Sequence, residues 1–229
     1  MAKLFSIGTI SNASNNGTIS GVTYTFFEPN NSCDSKPMHH ILTSMYEKQI
    51  MLTRKKAPPS LQISYSYENI FDREYRQIEH FNFDVDDALN SFSVVDFSQG
   101  RRPTSVTDGG SGNSWICAIG DTRLFSTVAN MKSPNAFIKW GDAWRLADIT
   151  ALTANTSITM DTSGSDYGAL SLSDANLYGY LFPVYTCRFA PNALSGMKTT
   201  VYVDEAINLT GDGGWMRSGD ITFLSKYKV

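Results

Sequence analysis

Cysteine is scarce in this chain. Three residues, Cys33, Cys117 and Cys187, stand far apart and odd in number, which excludes a disulfide framework and the CxxC spacing of a zinc site. All three are expected as reduced, partly buried thiols. Histidine is equally sparse: His39 and His40 are adjacent and so point apart on a strand or helix, His80 is remote, and no HExxH accompanies them. No metal and no cofactor is expected. Charged residues make up 18% of the chain, below the roughly 25% of an average domain, and 19 Lys+Arg against 22 Asp+Glu give a net charge of -3. Such a chain has no global cationic field for counterion release, so nucleic-acid binding is not expected. No apolar run approaches the roughly 18 to 20 residues that span a bilayer. The opening MAKLFSIGTISNAS is too poor in apolar residues for the core of a signal peptide.

Catalytic signatures are missing as well. There is no GxSxG elbow, no Cys-His pattern and no serine placed on a strand-to-helix turn, and GGSG at 109–112 lacks the lysine and following helix of a phosphate loop. The carboxylate pairs Asp86-Asp87 and Asp204-Glu205 fit a helix first turn and a strand end. The chain is expected not to be an enzyme.

What is present is β structure. Strict period-two alternation puts Leu61, Ile63, Tyr65 and Tyr67 of LQISYSY on one face, and Val22, Tyr24 and Phe26 of GVTYTFF likewise, with a turn at Glu28-Pro29-Asn30-Asn31. Further strands are expected at 94–97, 115–119, 136–140, 157–160, 177–189, 199–203 and 221–227. Two helices interrupt them, one carrying Phe71, Tyr75 and Ile78, the next carrying Val85, Leu89 and Phe92 and capped by Asp84. The segment Met38 to Lys56 fits both states, since Ile41 and Met45 suit a helix and QIMLT a strand. The stretch from Gly100 to Ser114 holds Pro103, Gly109, Gly110 and Gly112 and reads as an exposed loop. Short strands about 10 to 15 residues apart indicate a sandwich rather than βαβ units. The expected fold is mainly β: one antiparallel β-sandwich over residues 1–229, with one or two short helices packed on it as an insertion at about 70–92 and a sub-domain boundary at 100–114.

Three features invite a functional reading. Arg101 and Arg102, with Arg54, Lys55 and Lys56, are the basic clusters, and arginine forks suit the carboxylates of a partner surface. Trp115 joins Arg101 and Arg102 as a candidate interface residue. Trp115, Trp140, Trp144, Trp215 and the run Tyr178, Tyr180, Phe182 suit either a core or a sugar-binding platform. Asp161 to Asp166 resembles a calcium loop without its glycine and terminal glutamate, which leaves an Asx-rich turn.

REYRQIEHF followed by DALNSFSVVDFSQGRRP, then LYGYLFPVYTCRFAPNAL, then the terminal ITFLSKYKV, are similar to the order of elements in the distal tail proteins of tailed bacteriophages. The resemblance implies a β-sandwich assembled into a ring, expected to be a hexamer, that joins the tail tube to the tip or baseplate. Its implied partners are copies of itself and other virion tail proteins, and its implied location is the virion tail after synthesis in the host cytoplasm. The family has no catalytic residues to transfer. A phage neck, tail-completion or capsid-decorating subunit shares the same composition, and a carbohydrate-binding module, using exposed Trp and Tyr beside Asp and Asn, is the alternative of another class.

Overall fold

In a computed structural model, residues 6–9, 25–38, 41–45, 51–55, 60–85, 91–110, 113–128, 132–140, 143–163, 179–203 and 214–225 are described. The fold is mainly β and sandwich-like, with every pair of named strands antiparallel and the large sheet left open. Two short ribbons stand apart from that sheet: β1 (Ser6–Thr9) with β2 (Thr25–Phe27), and β4 (Ile41–Met45) with β5 (Met51–Lys55). The ambiguous segment Met38 to Lys56 is therefore a hairpin where it is described.

The large sheet holds eleven strands. Its main path runs β3 (Ser32–Met38), β6 (Ser60–Phe71), β15 (Gly214–Ser225), β13 (Tyr180–Phe189), β10 (Asn135–Trp140), β11 (Ala143–Thr153), β12 (Ser157–Asp161), β9 (Ser114–Ala118), β8 (Ser105–Asp108). β7 (Phe92–Val95) adds to β13, and β14 (Lys198–Val203) adds to β15. The sheet buries two cores. Alternation on β6 turns Ile63, Tyr65 and Tyr67 inward, where they meet Phe92 and Val94 of β7, Cys187 and Phe189 of β13 and Phe223 of β15. Rings there pack edge to face, Phe81 on Phe92 at 4.9 Å and Tyr65 on Phe223 at 5.1 Å. The second core is drawn entirely from the span between Val106 and Leu181, including Trp115, Cys117, Ile138, Ile158 and Met160.

β13 serves both cores with one face. Leu181 enters the second core, while Tyr185, Cys187 and Phe189, in phase with it at period two, enter the first. On the opposite face Val184 packs with Phe137, beside Phe97 and Phe182. The chain passes from the first core to the second through β7 and a single 3-10 turn, Phe97–Gln99, and returns along β13.

One helix, α1 (Asp72–Asp84), covers the first core with Tyr75, Ile78 and Phe81. Its start follows from chemistry: Phe71 N donates to Glu74 Oε2 at 3.1 Å, and Asp72 and Glu74 occupy the first turn, where the helix dipole favours anions. The Arg217 guanidinium docks it on β15, donating to Asp72 at 2.7 Å and lying 4.2 Å above the Tyr75 ring.

Two expectations are corrected. The second helix, over Val85 to Phe92, does not form at its described ends: Val85 caps α1, Phe92 opens β7, and 86–90 lie outside the described residues. Phe92 and Val94 are both inward on a strand, so a spacing of four then three residues imitated a helix face by coincidence. The stretch from Gly100 to Ser114 is not a bare loop. Val106 is fully buried, and the edge strand β8 that carries it pairs with β9 through a turn in which Gly110 N donates to Asp108 Oδ1 at 2.9 Å. One inward apolar residue is enough to anchor an edge strand whose other groups face water.

Candidate functional site

Arg101 is fixed by its backbone before its side chain does anything. Its amide donates to Leu181 O at 2.7 Å and its carbonyl accepts from Leu181 N at 2.7 Å, a lone antiparallel bridge onto β13. That places the guanidinium at the rim of the second core, where Nη2 lies 3.6 Å from Asp121 Oδ2. Asp121 is also gripped by the exposed Arg123, through Nε at 2.9 Å and Nη2 at 3.0 Å, and its Oδ1 accepts from the Arg123 amide at 3.1 Å. The Arg123 side chain, then its amide and the charges of both arginines, hold the Asp121 carboxyl well below the usual carboxylate range. Arg102 follows as an exposed residue. The result is a pair of arginines, Arg101 and Arg123, on one carboxylate, with the exposed Arg102 next to Arg101 in sequence.

Trp115 is elsewhere. It is 6% exposed and lies on β9 opposite Met160 of β12, inside the second core. Its alternation with Cys117 and Ile119, both inward, is the signal that assigns it to packing rather than to an interface.

Two exposed aromatics meet on the ribbon of β14 and β15. Tyr202 and Trp215 are directly opposite across the two strands, 57% and 53% exposed, with ring centroids 5.1 Å apart at 67°. Val201, 49% exposed, points to the other face of the same ribbon. Sequence reasoning named Trp215 without placing it and missed Tyr202. Its signal was partial: consecutive apolar residues Val201 and Tyr202 on a strand face opposite ways, and which of them is exposed depends on what covers the ribbon; here both are. Phe83, 84% exposed on α1, gives the same signal, because two residues from the buried Phe81 it lies on the far side of a helix. Trp140 and Trp144 sit on β10 and β11 opposite Ala143 and Lys139 respectively, and Tyr180 is half-exposed with its ring stacked on Phe182 at 25°.

Among the described residues no group of three or more His, Cys, Asp and Glu stands close enough to hold a metal ion. His80 is exposed on α1, and His39, His40, Asp86-Asp87 and Asp204-Glu205 lie outside the described residues. Asp161 Oδ1 accepts from Ser163 N at 2.9 Å, an Asx turn; residues 164–166 lie outside the description. Burial pushes the thiols of Cys33 and Cys117 up to about 12 and that of Cys187 well above its ordinary value, so all three are poor nucleophiles. No helix among the described residues is long and apolar enough to cross a membrane. Compared with family models and with curated proteins, the chain matches none.

Proposed function

We propose that this chain is a structural subunit of a tailed bacteriophage, a distal tail protein that closes with copies of itself into a ring, a hexamer, between tail tube and tip. The observation that carries the reading is the solvent-facing pair Tyr202 and Trp215 with Val201 behind it. Aromatic residues are enriched at the centre of subunit interfaces, and a grouped apolar surface on a folded chain marks a place where another surface fits. An open sheet adds to this, since its terminal strands β3 and β8 end in backbone groups that a neighbour can meet. The mechanism is mechanical: two cores sharing β13 make a stiff body, the aromatic ribbon supplies contact area, and Arg101 with Arg102 faces acidic groups of the next subunit or of another tail protein.

A carbohydrate-binding module is the second reading, favoured by the same exposed Trp215 and Tyr202. Sugar platforms offer coplanar ring faces, whereas these rings meet at 67°. Substituting both, Tyr202→Ser with Trp215→Ser, separates the readings. The ring account predicts that particle mass falls to that of one chain while binding of host-wall glycans is nil before and after; an unchanged mass with lost glycan binding overturns it.

A further inference from the structure

Asp96 lies between β7 and the 3-10 turn, and its residue exposure is 0%. Its amide donates to Pro183 O at 2.9 Å, which ties it to β13 where the two cores join. One carboxyl oxygen, Oδ1, accepts from Ser98 N at 3.1 Å and from Ser98 Oγ at 2.5 Å, with Cys33 Sγ at 3.9 Å. Ser98 Oγ is 2.8 Å from Ser35 Oγ, and Gln99 Nε2 donates to Ser35 Oγ at 3.3 Å. These contacts clasp β3, a terminal strand of the sheet, onto the turn. The other oxygen, Oδ2, is buried and has no hydrogen-bond partner among the described residues.

The titratable groups that face Asp96 are Cys33 from β3, Tyr65 from β6 and Cys187 from β13. None is a cation at neutral pH. The Tyr65 hydroxyl is committed to Val95 O. The donors on Oδ1, from Ser98, Ser35 and Cys33, favour the carboxylate, whereas burial with no partner on Oδ2 favours the uncharged carboxyl, and burial is the larger of the two effects.

We propose that Asp96 is a proton-controlled clasp: neutral, it holds β3 against the Phe97–Gln99 turn, and ionised, it loosens that edge to let water reach Oδ2. Burial raises the Asp96 carboxyl above its ordinary value, consistent with this arrangement. Because the folded value lies above the unfolded one, the contribution is complete below the unfolded value and is lost as pH rises through the folded one. The inference is independent of the ring reading, since it concerns a strand within one chain.

Hydrogen exchange on the intact protein at pH 4 and pH 8, corrected for intrinsic chemistry, tests it. Protection of the Ser32–Met38 amides is expected to be lower at the higher pH, while that of Ser114–Ala118 in the second core stays unchanged. Asp96→Asn, neutral at every pH, is expected to abolish the fall. Equal wild-type protection at both pH values, or the same fall in Asp96→Asn, overturns the proposal. Should Asp96→Asn fail to fold, the wild-type Asp96 carboxyl 13C titration decides: a midpoint near about 3.9 overturns the clasp, and a raised midpoint supports it.

Discussion

Ser133 Oγ accepts from the Val184 amide at 2.8 Å and has one proton to give to two carbonyls, Val184 O at 2.8 Å and Asn135 O at 2.5 Å. The hydroxyl thereby extends the β10–β13 ladder, which begins at Asn135 opposite Val184, by one residue where the two cores meet. Ser133 is fully buried, so no water replaces it. Ser133→Ala leaves an amide and a carbonyl without a partner and should destabilise the fold by about 2 to 3 kcal/mol, a melting temperature lower by about 5 to 10 °C. Thermal unfolding followed by circular dichroism checks it, and Ser133→Thr, which keeps the hydroxyl, should lose less.

Gly219 interrupts β15 with a φ of 148°, in the region L side chains rarely adopt. A Cβ there would lie 2.2 Å from Gly196 O, and backbone on both sides leaves nothing soft to yield. Gly219→Ala should therefore cost more than about 3 kcal/mol, seen as loss of soluble protein or a collapsed denaturation midpoint. Gly110 is the control, with a φ of 103° and nothing within 4 Å of its added Cβ. Gly110→Ala should cost about 1 kcal/mol, the conformational part alone.

These two positions also mark what can and cannot be read without coordinates. β6 was legible because Ile63, Tyr65 and Tyr67 alternate with polar residues on a strand that buries one face. The helix at Tyr75 and Ile78 was legible for the same reason at its own period. β11 was not: its alternation lasts only from Ala147 to Thr150, with a small Ala147 as one of its inward residues, and the register slips between Ile149 and Ala151. β8 rests on Val106 alone. Of the candidate site, Arg101 and Arg102 were chosen on charge alone, and Trp115, expected at an interface, is buried in the second core. Tyr202 became visible only once β14 was known to be covered on neither face, a fact of tertiary structure that local pattern does not carry.

Arg217 joins α1 to β15 through Asp72 and the Tyr75 ring. Arg217→Met should preserve the stem's packing and remove the ion pair and the ring contact, costing about 1 kcal/mol. Hydrogen bonds from Arg76, then Arg217, lower the Asp72 carboxyl below its ordinary value. With the folded value lowered, the stabilisation is present above the unfolded value and is lost as pH falls through the folded one. Urea midpoints of wild type and Arg217→Met should thus differ most at pH 7 and less toward pH 2, where the ring contact alone separates them. A gap of undiminished size in acid contradicts the ion-pair account.

Arg101→Glu with Arg102→Glu reverses two charges at the rim of the second core. Asp121 keeps Arg123, and the Arg101 bridge to Leu181 uses backbone atoms only, so the monomer should still fold, with a melting temperature within about 3 °C of wild type. Assembly should be blocked, and particle yield by electron microscopy reports it.

The most direct measurement is the mass distribution of the purified wild-type protein by mass photometry, from nanomolar to micromolar concentration. Ring closure predicts a discrete species of six chains of 229 residues that grows with concentration. A single peak at the mass of one chain throughout, with Tyr202 and Trp215 remaining accessible to aromatic oxidation, would contradict the account.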